Sequence, residues 1–249
     1  MSIIHILLFV LGAIVGSFLN VVALRYNTGI SLGGHSSCAT CRKPLGWWEL
    51  IPIFGFVLLR GRCAGCRSKI SPQYPLVELL TGLVFATVFF PNASIPINVL
   101  RLLIFCLYIV ILIYDARHTI IPDGLVFASI VLALVLHLFF IHFHAHDWWA
   151  GGVLFAFFAS VWALSRGRAM GFGDAKLGLS IGLFLGLAEG VSAMILAFWI
   201  GTVVSLSLML ISRKKLTMKS EVPFAPFMII GAWLALILHL DLFHVLSLF

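Results

Sequence analysis

Eight apolar runs constrain this chain more than any other feature of it. They fall at about residues 3–24, 74–90, 97–114, 124–141, 148–165, 175–188, 190–211 and 224–247. A helix that crosses a bilayer needs roughly 17 to 25 predominantly apolar residues. The run at 175–188 is the shortest, and its length equally suits a re-entrant segment or one buried in a bundle. Composition points the same way: 62% of the residues are hydrophobic and 10% charged, where a soluble domain is about half apolar and about a quarter charged. Lipid therefore replaces water around most of the chain. The first run has no Lys or Arg before it and no small-residue cleavage box before Arg25, so it reads as a retained span and not as a cleaved signal.

Charge placement orients these runs, because short cytoplasmic loops collect Lys and Arg. With the N-terminus outside, eight spans put 15 of the 16 basic residues on the cytoplasmic side, and only Arg101 falls toward the other. The expected location is a cytoplasmic (inner) membrane. The net charge of +7 then follows from topology and from contact with anionic lipid. No nucleic-acid partner is needed to explain it.

The longest polar stretch, residues 25–72, holds all but one of the five cysteines. Cys38-Ala39-Thr40-Cys41 and Cys63-Ala64-Gly65-Cys66 are two CxxC pairs separated by 21 residues. In a reducing compartment disulfides are disfavoured. Four thiolates on two tight knuckles complete a closed tetrahedral zinc site, which is structural and not catalytic. Arg42, Arg62 and Arg67 adjoin the knuckles, where cations offset the negative charge of a tetrathiolate centre. Cys106, alone in an apolar run, reads as a packing residue. His142, His144 and His146 alternate at the outer side, and interfacial histidines need no metal to account for them.

Of the nine acids, Glu49, Asp147, Glu189, Glu221 and Asp241 are expected at solvated surfaces or span ends. Asp123, between Pro122 and Gly124, has the chemistry of a helix N-cap. Asp115 ends one apolar run, Asp174 closes Gly171-Phe172-Gly173 and opens another, and Glu78 lies inside the second. Ionisable groups at membrane depth are costly and point to function or to a buried pair. Two aspartates from different helices can share a proton, one activating water while the other polarises a carbonyl. Gly171 and Gly173 would let an extended substrate backbone approach. Asp174, at a helix start and two residues from Lys176, is expected to be the ionised member, and Asp115, at a helix end, the protonated one.

The ordered set Gly16-Ser17-Phe18-Leu19-Asn20, the double CxxC, Trp48-Glu49-Leu50-Ile51-Pro52, Arg60-Gly61-Arg62-Cys63, Tyr74-Pro75-Leu76-Val77-Glu78, Asp115 with Ile121-Pro122-Asp123, and Gly171-Phe172-Gly173-Asp174 resembles the type IV prepilin peptidases of bacteria. The resemblance runs over almost the whole chain. It departs where Tyr26-Asn27 follows the first arginine and where no proline follows Cys38. It implies catalysis by Asp115 and Asp174, with Asp123 in support, on a type IV prepilin or type II secretion pseudopilin cut at the cytoplasmic face. It also implies N-methylation of the new N-terminus from S-adenosylmethionine, with Gly61 involved. The 48-residue loop offers no nucleotide-binding fold or glycine-rich fingerprint for that second activity.

The expected fold class is thus an all-α polytopic membrane protein of about eight transmembrane helices with a small cytoplasmic zinc-knuckle insertion. Its expected parts are a first helix at 1–24, a four-cysteine loop domain at 25–72 and a transmembrane aspartyl protease domain at 73–249. Two other readings compete. A proton- or ion-coupled transporter would use Asp115, Asp174 and Glu78 as relays, and a membrane-tethered adaptor would use the cysteine loop to bind a partner protein. The first calls for acids near mid-span, whereas these aspartates fall at span ends.

Overall fold

The computed structural model describes residues 3–29, 31, 33–34, 36–38, 40–140, 147–168, 170–211 and 223–241. His142, His144, His146, the basic cluster Arg213, Lys214, Lys215 and Lys219, and Glu221 lie outside the described residues. Each of the eight apolar runs contains a helix: α1 (Ile3–Arg25), α3 (Gln73–Val88), α4 (Ile95–His118), α5 (Asp123–Phe139), α6 (Ala150–Ser165), α7 (Phe172–Leu185), α8 (Leu187–Ile211) and α9 (Ala225–Leu238). A short helix, α2 (Phe54–Leu58), sits in the polar insertion, and a 3-10 turn, Asp147–Trp149, leads into α6. By length and composition four helices can cross a membrane: α1, α4, α8 and α6 with its 3-10 turn. Prolines sit where they cost no hydrogen bond: Pro122 precedes α5, and α4 and α9 carry Pro in their first turns. α7 starts earlier than hydropathy alone indicates, because Phe172 and Gly173 already form its first turn.

The chain divides into two units, Met1–Phe89 and Phe90–Phe249. In the first, α1 and α3 form an antiparallel hairpin. A side chain at Gly16 would collide with Thr81, so the missing Cβ sets how closely the two backbones approach. Asn20, fully buried, donates its amide to the carbonyls of Gly16 and Tyr74 at 3.3 and 3.4 Å and accepts from Gln73 at 3.4 Å. The Gly16 to Asn20 motif is therefore the seam of the hairpin.

In the second unit α4 and α7 run antiparallel. The Tyr108 hydroxyl meets Ser180 Oγ at 2.9 Å, and Ser129 of α5 meets the same Ser180 at 2.7 Å. The Phe184 ring packs edge-on against Phe105 and Tyr108. Polar side chains point inward while large apolar ones such as Phe127, Leu164 and Leu210 face out. An apolar surface around an interior that also holds paired polar groups matches a lipid surround, where a polar group must find its partner inside the protein.

Candidate active site and metal centre

Asp115 lies in the last turn of α4, and Asp174 is the third residue of α7. Helix geometry brings them to one level. Asp115 is seven residues beyond Tyr108 and Asp174 six before Ser180, so each sits on the order of 10 Å beyond the Tyr108–Ser180 tie, toward the same end of the antiparallel pair. Both are buried, with 4% and 7% of their surface accessible. Each carboxylate accepts one backbone N–H: Ala225 donates to Asp115 Oδ2 at 3.3 Å, and Gly171 donates to Asp174 Oδ2 at 3.1 Å. The two carboxyls lie close enough to act on each other electrostatically. Two buried acids with so few fixed donors retain free lone pairs to accept from water, and whichever of them is protonated has an O–H to donate to a peptide carbonyl.

Several expectations change here. Lys176 is not committed to Asp174, because its ammonium reaches Asp123 Oδ1 at 2.8 Å and lies over the Phe172 ring. Asp115, although it ends α4, meets the first N–H of α9, so both aspartates face a helix N-terminus. The dipole argument for which acid is ionised therefore loses its asymmetry. Asp123 is not the N-cap of α5 but its first residue, Pro122 being the cap. A side chain at Gly173 would collide with Ile121, so that glycine serves packing of α7 against the loop before α5, whereas Gly171 leaves room beside Asp174.

Glu78 belongs to the other unit. Its carboxylate accepts the N–H of Ile53 at 2.7 Å and holds that residue at φ 63°, a conformation a β-branched side chain avoids. Two of the acids assigned to solvated span ends are tied down instead: Asp147 accepts the N–H of Leu187 at 3.1 Å, and Glu189 pairs with His239 at 3.3 Å. The Glu49 side chain turns inward, 2% accessible, and accepts the N–H of Gly46 at 2.6 Å. Sequence reasoning missed the Tyr108, Ser180 and Ser129 chain, because isolated hydroxyls in apolar runs carry no periodic signal.

The two CxxC segments fold as matching turns. Cys38 N–H donates to Lys43 O and Cys63 N–H to Ser68 O, while Arg42 N–H returns to Cys38 O and Arg67 N–H to Cys63 O. Arg42 and Arg67 both take positive φ, as the residue closing each knuckle. The four sulfur atoms lie within 4.8 Å of one another, with Cys38–Cys66 at 3.9 Å and Cys41–Cys63 at 4.0 Å. A tetrahedral site with Zn–S of about 2.3 Å requires sulfurs about 3.8 Å apart. The donor set therefore fits a structural zinc ion. The Cys41 and Thr40 N–H groups and the Ser68 hydroxyl bring the Cys38 thiol down to about 6. For Cys41 the Lys43 N–H favours the thiolate, yet burial and the neighbouring thiols of Cys66, Cys38 and Cys63 push it up to about 11. Four mutually repelling thiolates thus call for a bound cation to ionise together. Gly61 takes φ 67° and closes the turn after α2, with the Phe56 ring filling the space beside it.

An all-α, multi-helix membrane architecture, with two buried aspartates toward one end of an antiparallel helix pair in one unit and a four-thiol knuckle in the other, defines a membrane-embedded protein carrying a candidate aspartyl dyad. Residues 10–91 match the bacterial peptidase A24 N-terminal domain, and residues 100–206 match the type IV leader peptidase family. The chain is 31% identical to the prepilin leader peptidase/N-methyltransferase of Bacillus subtilis (strain 168), over 92% of each chain. It is 34% identical to that of Klebsiella pneumoniae over 72% of this chain and 84% of the relative. With that of Stutzerimonas stutzeri it shares 30% identity over 92% and 88%. This chain belongs to the prepilin leader peptidase/N-methyltransferase family. No solved structure matches it. The transporter reading finds no support among these relatives.

Proposed function

We propose that this chain is an aspartyl endopeptidase of the cytoplasmic membrane that removes the leader of type IV prepilins or type II secretion pseudopilins, with Asp115 and Asp174 as its catalytic pair. The observation that carries the assignment is the pair itself: two buried carboxyls brought level by α4 and α7, with one backbone donor each. One carboxylate takes a proton from water, whose oxygen attacks the scissile carbonyl, while the protonated partner donates to the carbonyl oxygen. Collapse of the tetrahedral intermediate returns a proton to the departing amine. Asp123 and Lys176, joined at 2.8 Å, link the starts of α5 and α7 and position Asp174.

The proposed topology has eight spans, the N-terminus outside, and both the dyad and the four-cysteine loop on the cytoplasmic face. Its parts are the helix at 1–24, the zinc-binding loop domain at 25–72 and the protease domain at 73–249. A prepilin's own apolar helix would lie against the spans and leave its basic leader in the cytoplasm. We extend the relatives' second activity, N-methylation of the new N-terminus with S-adenosylmethionine as donor, to this chain on membership alone. Around Gly61 the side-chain space is taken by the Phe56 ring. Purified protein incubated with a prepilin should give a product lighter by the leader and, with S-adenosylmethionine added, separately heavier by one methyl. Asp115→Asn and Asp174→Asn should each abolish leader loss while the protein stays membrane-inserted. Near-normal turnover in either variant refutes the pair.

A further inference from the structure

Between the two knuckles, residues 47–58 present an apolar face that no described residue of their own unit covers. Trp47 is 80% exposed, and Ile51, Phe54, Val57 and Leu58 are exposed as well. Phe54, Val57 and Leu58 occupy positions i, i+3 and i+4 of α2 and so share one side of it. The opposite side is engaged: Gly55 packs against the Glu49 carbonyl and Phe56 against Gly61. Glu78 of α3 holds the entry to α2 through the strained Ile53, which fixes this face relative to the α1–α3 hairpin.

The charges around it are of one sign. Arg42, Lys43, Arg60, Arg62, Arg67 and Lys69 are all exposed, and the one acid of residues 25–72, Glu49, turns inward with its side chain 2% accessible. The segment is tethered at both ends to one end of an apolar hairpin, at Arg25 and at Gln73. Tryptophan and aliphatic side chains in a loop whose exposed charges are cations, tethered to an apolar hairpin, match the interface of an anionic leaflet in both hydropathy and charge. A basic peptide would be repelled by the same cations.

We propose that the Trp47 to Leu58 face is a membrane-interface anchor, seated among the headgroups and upper acyl chains of an anionic leaflet. It presses the cysteine loop onto the bilayer. The proposal requires neither the peptidase chemistry nor the dyad.

The test uses the full-length protein reconstituted in vesicles of phosphatidylethanolamine and phosphatidylglycerol, with the lipids brominated at shallow acyl positions. The emission difference between wild type and Trp47→Phe isolates Trp47. That difference should be blue-shifted, fall at least about twofold on bromination, and resist quenching by aqueous acrylamide. Phe54→Trp in the Trp47→Phe background gives a second reporter on the same face and should behave alike. Red, acrylamide-quenched emission that bromination leaves unchanged at both positions overturns the proposal.

Discussion

Asp115 and Asp174 are each steadied by a single backbone N–H, yet Lys176, two residues from Asp174 in sequence, serves a different acid. Its pair with Asp123 is largely exposed, 72% on the Asp123 side chain. Such a pair is worth at most about 1 kcal/mol. Its role is therefore positional. Lys176→Met and Asp123→Asn should each reduce cleavage by roughly tenfold or less, far short of the loss on removing either dyad member. Because the two act through one contact, the double variant should be no slower than the worse single one. Fully additive losses in kcat/KM would show separate roles for Lys176 and Asp123. Asp123→Asn inactive with Asp115→Asn active would move the catalytic centre to Asp123.

Among the elements, α6 and α7 show what the small residues do. A Cβ at Gly182 would meet the backbone carbonyl of Ala150 at 2.7 Å, a contact that no rotamer relieves, whereas one at Gly152 meets nothing within 4 Å. Gly182→Ala should therefore destabilise the protein by about 1–3 kcal/mol. Gly152→Ala should be neutral or gain up to about 1 kcal/mol, since alanine is the better helix former. Thermal unfolding in detergent compares the two, and equal shifts would remove close packing as the reason for glycine at 182. Inside the bundle, Ser180 takes part in hydrogen bonds with both Tyr108 and Ser129. Ser180→Ala leaves two hydroxyls without that partner and should cost roughly 1–3 kcal/mol, with a loss of activity if the tie also sets the level of the aspartates.

For the molecule as a whole, metal and topology are separable. Metal analysis should find about one zinc per chain, lost when Cys38 and Cys41 are changed to serine. Since the dyad sits on other helices, cleavage should outlast metal loss in part, and a metal-free wild type with four reduced thiols would refute the site. Protease should cut the loop at 25–72 in inverted membrane vesicles and not in intact spheroplasts, and the reverse pattern would invert the proposed orientation. Much of this was legible in the sequence. Hydropathy located all eight helices because lipid demands long apolar runs, and the CxxC spacing located the four-thiol cluster because a knuckle is a local fold. The positions of Asp115 and Asp174 at helix ends were legible for the same reason. Tertiary structure alone decided the partners of each charged group. Lys176 is two residues from Asp174 in sequence but pairs with Asp123, Asp115 meets the start of a helix 110 residues away, and Glu49 folds inward. Side-chain direction depends on how helices rotate against one another, and hydropathy, which averages over a helix, carries no record of that rotation.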